Sequence, residues 1–351
     1  MAPPVAKTLI IRFSSVGDII LSSLLIRALR RRFPTAQIDY LVKAEYAELL
    51  RGNPHLTRVL ELPAGGTFTD LKHMLRKVRA ANYDLIVDIH GNLRSRYVSL
   101  GGRRVVRYHK RTIRRTALVR LKLNLYAKRS GVPSVAERYL APVARFGVRD
   151  DGQGLEVFVD EHDRKVAASL IQELGMDGLR PLVGVAPSAR HRNKMWPAER
   201  FARAAALVAE RRGTGVILFG AEHDRAVCAA VLEELSRVAP GTRAAHLAGQ
   251  MSLTQTAALM DHCAVVLAND SGLMHLATAR KRPVVALFGP TVREFGFFPV
   301  GTHSIVMERQ GLSCRPCTTI GRPDCPRTHF RCMLDTTPED VAASAERVLS
   351  A

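Results

Sequence analysis

The sequence predicts an α/β protein made of two consecutive doubly wound domains. Three observations predict it. Short apolar runs of strand length alternate with segments of helical period. The alternation runs through the first half and starts again near residues 150–175. Turns carrying Gly, Ser or Pro follow the strands. With 351 residues and 47% apolar composition, the chain has material for two cores, and compositional disorder is excluded. The expected division is 1–160, 161–335, and a closing helix over 336–351 that packs back on the first domain.

In the first half, residues 7–13 (KTLIIRF) read as a buried strand. The SSVGD turn follows, then a helix that stops before Pro34 and a strand ending near Val42, which makes a βαβ unit. Residues 57–62 read as a strand, 69–81 as a helix and 84–89 as a strand, followed by the turn His90-Gly91-Asn92. Such alternation implies parallel strands with both faces covered. In the second half, helices are expected over 161–174, 197–212, 222–238, 253–261, 273–280 and 338–349. Strands are expected over 181–187, 215–219, 264–268 and 283–288. Pro197 suits the start of a helix, where its missing N–H costs nothing.

The formal net charge is +20, which calls for an anionic partner: nucleic acid, anionic lipid or a phosphorylated glycan. Residues 94–149 hold 16 Lys and Arg against one acid, Glu137, so this stretch carries net +15 of the total. One such cation is an ordinary solvated residue; a cluster so one-sided reads as an anion-binding face. No run approaches the roughly 18 apolar residues of a membrane span. Met1 to Lys7 lacks the apolar core of a secretory signal. The expected location is therefore the cytoplasm.

In doubly wound sheets ligands bind outside the carboxyl ends of the strands, so the turns after strands carry the candidate chemistry. Asp18 in SSVGD reads either as a helix cap or as a general base in a cleft. Residues 187–197 (PSARHRNKMWP) place Ser188, Arg190, Arg192 and Lys194 within seven residues, a set that suits a diphosphate. In residues 268–277 (ANDSGLMHLA), Asp270, Ser271 and Gly272 open a helix. Its free N–H groups and dipole favour a phosphate, and His275 lies one turn in. Gly289 and Thr291 in LFGPT fit the same pocket, and Glu222 in FGAEHD is placed to take ribose hydroxyls. GxGxxG, Walker A, Asp-x-Asp and GxSxG are all missing, which disfavours a Rossmann dehydrogenase, a P-loop enzyme, a transferase with an Asp-x-Asp metal and an α/β-hydrolase.

Cys228 and Cys263 sit in apolar runs as small core residues. Cys314-x2-Cys317-x7-Cys325-x6-Cys332, with His329 nearby, has a spacing compatible with structural zinc or an iron–sulfur centre. A reduced, lid-like structural loop is the alternative.

Taken in order, SSVGDII, PSARHRNKMWP, FGAEHD, GQMSL and ANDSGLMHLATARKRPVVALFGPT resemble the ADP-heptose:lipopolysaccharide heptosyltransferases of glycosyltransferase family 9. The CRPC…CP…C tail is similar to the heptosyltransferase II branch, and the resemblance spans nearly the whole chain. It implies a GT-B fold, two Rossmann-like domains facing a central cleft, with the acceptor on the first and the nucleotide sugar on the second. It implies inverting transfer of heptose from ADP-L-glycero-D-manno-heptose to the lipopolysaccharide inner core, at the inner face of the cytoplasmic membrane.

The same resemblance makes Asp18 the base. Ser188, Arg190 and Lys194 would hold the phosphates, Glu222 ribose and Met251 adenine, with Asp270 at the heptose. Ser271, Gly272 and Leu273 would offer N–H groups to the diphosphate, joined by His275, Gly289 and Thr291. The acceptor's anionic groups would fall to Arg94, Arg96, Arg103, Arg104, Arg107, Lys110 and Arg111. No cofactor is needed for the chemistry. One departure is Met274, where the family often has a hydroxyl. Rival readings are a family-9-like transferase with another sugar nucleotide or acceptor, a basic nucleic-acid-binding protein, and a metal-binding module at the tail.

Overall fold

The computed structural model describes residues 5–126, 131–179 and 181–350. Met1 to Pro4, and Lys128 and Arg129 of the basic stretch, lie outside them. The chain forms two compact units, one of residues 1–111 and 133–158 and the other of 112–132 and 159–351. The division differs from a single cut near residue 160, because residues 112–132 leave the first unit and pack with the second. Helical period and charge do not report which core a segment joins.

The first unit carries five parallel strands: β1 (Lys7–Ile11), β2 (Gln37–Lys43), β3 (Arg58–Leu62), β4 (Leu85–Asp88) and β5 (Val105–Arg107), in the order β3-β2-β1-β4-β5. Its core is built from Leu9 and Ile11 of β1, Leu41 of β2 and Ile86 of β4. These pack against Leu71, Met74 and Val78 on one face of the helix Phe68–Ala81. That helix opens with a capping box, in which Thr67 and Asp70 exchange hydrogen bonds. The helix expected up to Pro34 is broken into Val16–Leu21 and Ser23–Arg32. At the break, the Ser22 hydroxyl donates to the Ile19 carbonyl at 2.7 Å, and a hydroxyl turned back on the backbone competes with the helical ladder.

The second unit carries six parallel strands: β6 (Leu182–Ala186), β7 (Val216–Leu218), β8 (Ala244–His246), β9 (Cys263–Asn269), β10 (Val284–Phe288) and β11 (Ser304–Glu308), in the order β11-β10-β9-β6-β7-β8. The short β8 and β11 escaped the sequence reading; both are edge strands with half-buried residues and little apolar signal. Gly184 in β6 lets Phe219 approach, since an added Cβ would stand 2.9 Å from that ring. The closing helix Pro338–Ser350 buries Val341, Ala342, Ala345 and Val348 in the second unit's core. This corrects its expected return to the first domain.

Both sheets have the doubly wound order in which two crossovers leave a central pair of strands in opposite directions. The pair is β1 and β4 in the first unit and β6 and β9 in the second. Ligand sites are expected beyond the carboxyl ends of these pairs.

Within the first unit, Arg27 donates to both Asp151 carboxylate oxygens at 2.8 Å and to the Gly154 carbonyl at 2.8 Å, and pairs with Glu156 at 2.8 Å. Removing a buried cation leaves its anions uncompensated. Arg27→Ala is expected to lower unfolding free energy by about 3 kcal/mol, read by urea denaturation. An effect within about 0.5 kcal/mol, as at ordinary surface sites, would show the cluster to be structurally idle.

Candidate active site

The first unit places Asp18 in the turn after β1. Ser15, not Asp18, is the helix N-cap; Asp18 lies in the first turn, which corrects the reading of it as the cap. The Ser15 hydroxyl donates to Asp18 Oδ2 at 3.1 Å, and the Tyr139 hydroxyl to Oδ1 at 3.1 Å. Arg12, at the end of β1, pairs with Oδ2 at 2.5 Å. The Arg12 guanidinium is itself fixed, donating to the carbonyls of Ser14 at 2.6 Å and Ile89 at 2.9 Å. Burial opposes ionisation of Asp18, but Arg12, Ser15 and Tyr139 hold its carboxyl below the ordinary value. Tyr139 is buried, which pushes its phenol well up and keeps it a neutral donor.

His90 follows β4 beside this group. Its backbone N–H donates to the carbonyl of Ile11 at 3.1 Å, and its ring lies 5.0 Å from that of Phe13. Burial, then the cations Arg12 and Lys110, push its imidazole down to about 3. A neutral imidazole therefore stands in a site already holding an ion pair. Arg12, Tyr139 and His90 escaped the sequence reading as site residues. Arg12 looked like part of a strand, and Tyr139 comes from a distant helix.

Of the expected acceptor cations, Arg94, Arg96 and Arg103 are exposed, while Arg104, Lys110 and Arg111 are half-buried. Arg107 is committed internally: it donates to the Ser99 hydroxyl at 2.8 Å and stands 3.7 Å from Asp88.

The second unit gathers its residues on Asp270, just after β9. Lys194 Nζ lies 2.6 Å from Asp270 Oδ2, and the Thr291 hydroxyl donates to the same oxygen at 2.7 Å. Three loops leaving β6, β9 and β10 thus meet at one carboxylate. Asn269 joins two of them from below: its Oδ1 accepts from Trp196 N–H at 3.0 Å and its Nδ2 donates to the Pro187 carbonyl at 2.7 Å. Ser188 is buried in the first of these loops. Ser271 is the N-cap residue of the helix Gly272–Ala279, and its buried hydroxyl has no partner among the described residues. A buried unpaired hydroxyl beside free helical N–H groups fits an anionic ligand. Gly272 and Leu273 form that helix's first turn, and His275 is buried within it. Met274 is fully buried, so the apolar side chain sits in the core where a hydroxyl would need a partner.

Other expected donor residues stand apart from Asp270's contacts. Arg190 is exposed. Arg192 is exposed, lies 3.9 Å from Asp324, and lines a hollow of 390 Å³ with Trp196, Pro197 and Phe330. Glu222 is exposed and pairs with Arg225 at 2.9 Å. It packs on Gly249, whose φ of +72° and lack of a side chain admit it; an added Cβ would stand 2.8 Å from the Glu222 Cα. Met251 follows in the same segment, half-buried.

The cysteine-rich segment acts as a strut. Arg315 donates to the carbonyls of Gly289 at 2.7 Å and Thr291 at 2.6 Å and pairs with Glu308 at 2.6 Å, so it holds the loop after β10. Asn193 accepts from Arg322 N–H at 2.8 Å, which holds the loop after β6. Cys314 Sγ lies 3.7 Å from His329 Nε2. Among the described residues, however, no three His, Cys, Asp or Glu side chains converge as metal ligands do. Burial, then the neighbouring thiols, push Cys317 and Cys332 up, so the four cysteines are neighbours in the fold.

The neutral His90 has a consequence for stability. Its ordinary value of 6.5 applies in the unfolded chain, which binds the proton first as pH falls. Stability from this site is present above about pH 6.5 and is lost toward about pH 3. His90→Gln is expected to flatten the fall in Tm across that window. Parallel wild-type and variant curves would show that the imidazole is not held neutral.

Among solved structures, an ADP-heptose lipopolysaccharide heptosyltransferase II of Escherichia coli has a TM-score of 0.72 at 24% identity, covering 98% of each chain. This likeness identifies the GT-B fold. Among curated proteins, lipooligosaccharide heptosyltransferase 2 of Haemophilus ducreyi is 26% identical over 98% of this chain and 99% of its own length. Lipopolysaccharide heptosyltransferase 2 of Escherichia coli K12 is 28% identical over 98% of each. The model of glycosyltransferase family 9 (heptosyltransferase) matches residues 71–324, and with both switch-point clusters in place, the chain belongs to that family of enzymes.

Proposed function

We propose that this glycosyltransferase moves a heptose from ADP-heptose to the inner core of lipopolysaccharide, at the inner face of the cytoplasmic membrane. The observation that carries the donor half is the unpartnered Ser271 hydroxyl at a helix N-terminus beside Lys194 and Asp270. In a family-9 chain, that arrangement supports a diphosphate site. The names of the relatives support the heptose and the acceptor. Family membership favours an anionic glycan over nucleic acid as the partner of the basic residues.

The reaction is read as an inverting displacement. The acceptor hydroxyl attacks the anomeric carbon as the bond to ADP breaks, and its proton passes to Asp18. A carboxylate held low by Arg12 is a weak base, so it accepts the proton late, as the new C–O bond forms. Arg12 keeps the carboxylate ionised and aimed, and Tyr139 and Ser15 fix its two oxygens. On the donor side, Lys194 is preset by Asp270 and answers the charge growing on the departing diphosphate. Ser188 and the N–H groups of Ser271, Gly272 and Leu273 act with it. Asp270 and Thr291 are then left to the heptose hydroxyls, Glu222 to ribose and Met251 to adenine. No step calls for a metal ion.

Two measurements test this reading. In a thermal-shift series, ADP and ADP-linked sugars should stabilise the protein while UDP- and GDP-linked sugars do not; equal shifts for all would remove the donor assignment. Asp18→Asn should keep the ADP-heptose shift and lose about 10²–10⁴ in kcat. In the wild type, Asp18 should contribute no inflection to the activity profile between about pH 5 and pH 8, because its carboxyl is held low. Full activity in the variant would remove Asp18 from the chemistry.

A further inference from the structure

Residues 120–125 read Arg-Leu-Lys-Leu-Asn-Leu, and all six are exposed. A segment lying on the surface of a protein ordinarily leaves its polar side chains to water and packs its apolar ones. Here the leucines are left in water while their polar neighbours carry the contacts. The polar residues hold the segment to its own unit: Lys122 Nζ donates to the carbonyls of Cys314 at 3.0 Å and Pro316 at 2.6 Å, and Asn124 Nδ2 donates to Glu294 at 2.8 Å. Leu121, Leu123 and Leu125 are left 66%, 53% and 51% exposed. Ile113, on the preceding helix Thr112–Arg120, is 82% exposed.

The segment is anchored on either side. Leu118 and Tyr126 are buried against Phe295, and Arg115 stacks 5.4 Å from the rings of Phe295 and Phe297. The leucines therefore cannot turn inward without breaking the contacts that hold their neighbours. Large apolar side chains exposed this often within one short stretch of chain mark a docking surface.

The surrounding charge selects the partner. No acid occurs anywhere from residue 89 to residue 136, and the exposed Arg114 and Arg120 adjoin Ile113 and Leu121 in the chain. A second copy of this chain would bring cations against cations. An anionic lipid surface instead takes the leucines into its acyl boundary and the arginines at its headgroups. We propose that Ile113 and Leu121, Leu123 and Leu125, framed by Arg114 and Arg120, form the membrane-docking element of the protein. This deepens the reading in which the acceptor is lipid-borne, and it places membrane contact on a defined segment instead of on net charge. Among the described residues no helix is long and apolar enough to cross a membrane, so contact of this kind is confined to the surface.

The test is co-sedimentation of the full-length protein with vesicles of phosphatidylethanolamine and phosphatidylglycerol, against vesicles of phosphatidylcholine. Wild type is expected to sediment with the anionic vesicles only, and less as salt rises. The triple variant Leu121→Ser, Leu123→Ser, Leu125→Ser should partition at least about tenfold more weakly, and Arg114→Glu with Arg120→Glu should do likewise. Both should keep the wild-type Tm and the wild-type ADP thermal shift. A triple variant that sediments like wild type would overturn the proposal, as would equal binding to both vesicle types. So would a wild-type dimer that the triple variant abolishes, which would give the surface to a second copy. Because the ADP shift is read separately, its absence would count against the donor assignment without touching the docking result.

Discussion

Asp270 is the point at which three loops of the second unit are tied together. A single carboxylate takes Lys194 from the loop after β6 and Thr291 from the loop after β10, and it begins the turn after β9 itself. An ion pair this buried is costly to desolvate and is kept only where its geometry is good. Its return here is positional: three strand ends are locked together, and Lys194 is held in one place. Asn269, one residue earlier, performs the same service with its amide, joining Pro187 and Trp196.

The first unit repeats the logic with a different outcome. Arg12 and Asp18 also form a buried pair at the end of a central strand, but here the cation serves the anion. Arg12 is fixed by two carbonyls, and it keeps Asp18 ionised in a place where burial alone would protonate it. Burial keeps His90 neutral, and the same positive charge adds to that effect. One guanidinium therefore pushes both neighbours down in pKa, favouring the ionised carboxylate and the neutral imidazole.

The cysteine-rich segment also has a mechanical part in the second unit. Its spacing suggests ligands, yet its strongest ties run through Arg315 and Arg322 to the loops after β10 and β6. It also receives Lys122 from the segment whose leucines face outward. The loops after β6 and β10 and the segment of exposed leucines are thus braced by one stretch of chain.

The sequence by itself determined the two α/β alternations, their central strands, and the turns after β1, β6, β9 and β10. Period and turn composition are local properties, and local sterics enforce them. It also carried Asp18, Lys194, Asp270 and Thr291 as residues of interest, because each follows a strand. Only the tertiary structure decided that Lys194 and Thr291 converge on Asp270, and that Arg12 and Tyr139 govern Asp18. It also moved residues 112–132 into the second unit and left their leucines outside. Those outcomes depend on contacts between residues far apart in the chain, as with Asp18 and Tyr139, and neither periodicity nor motif spacing encodes which distant side chain will arrive.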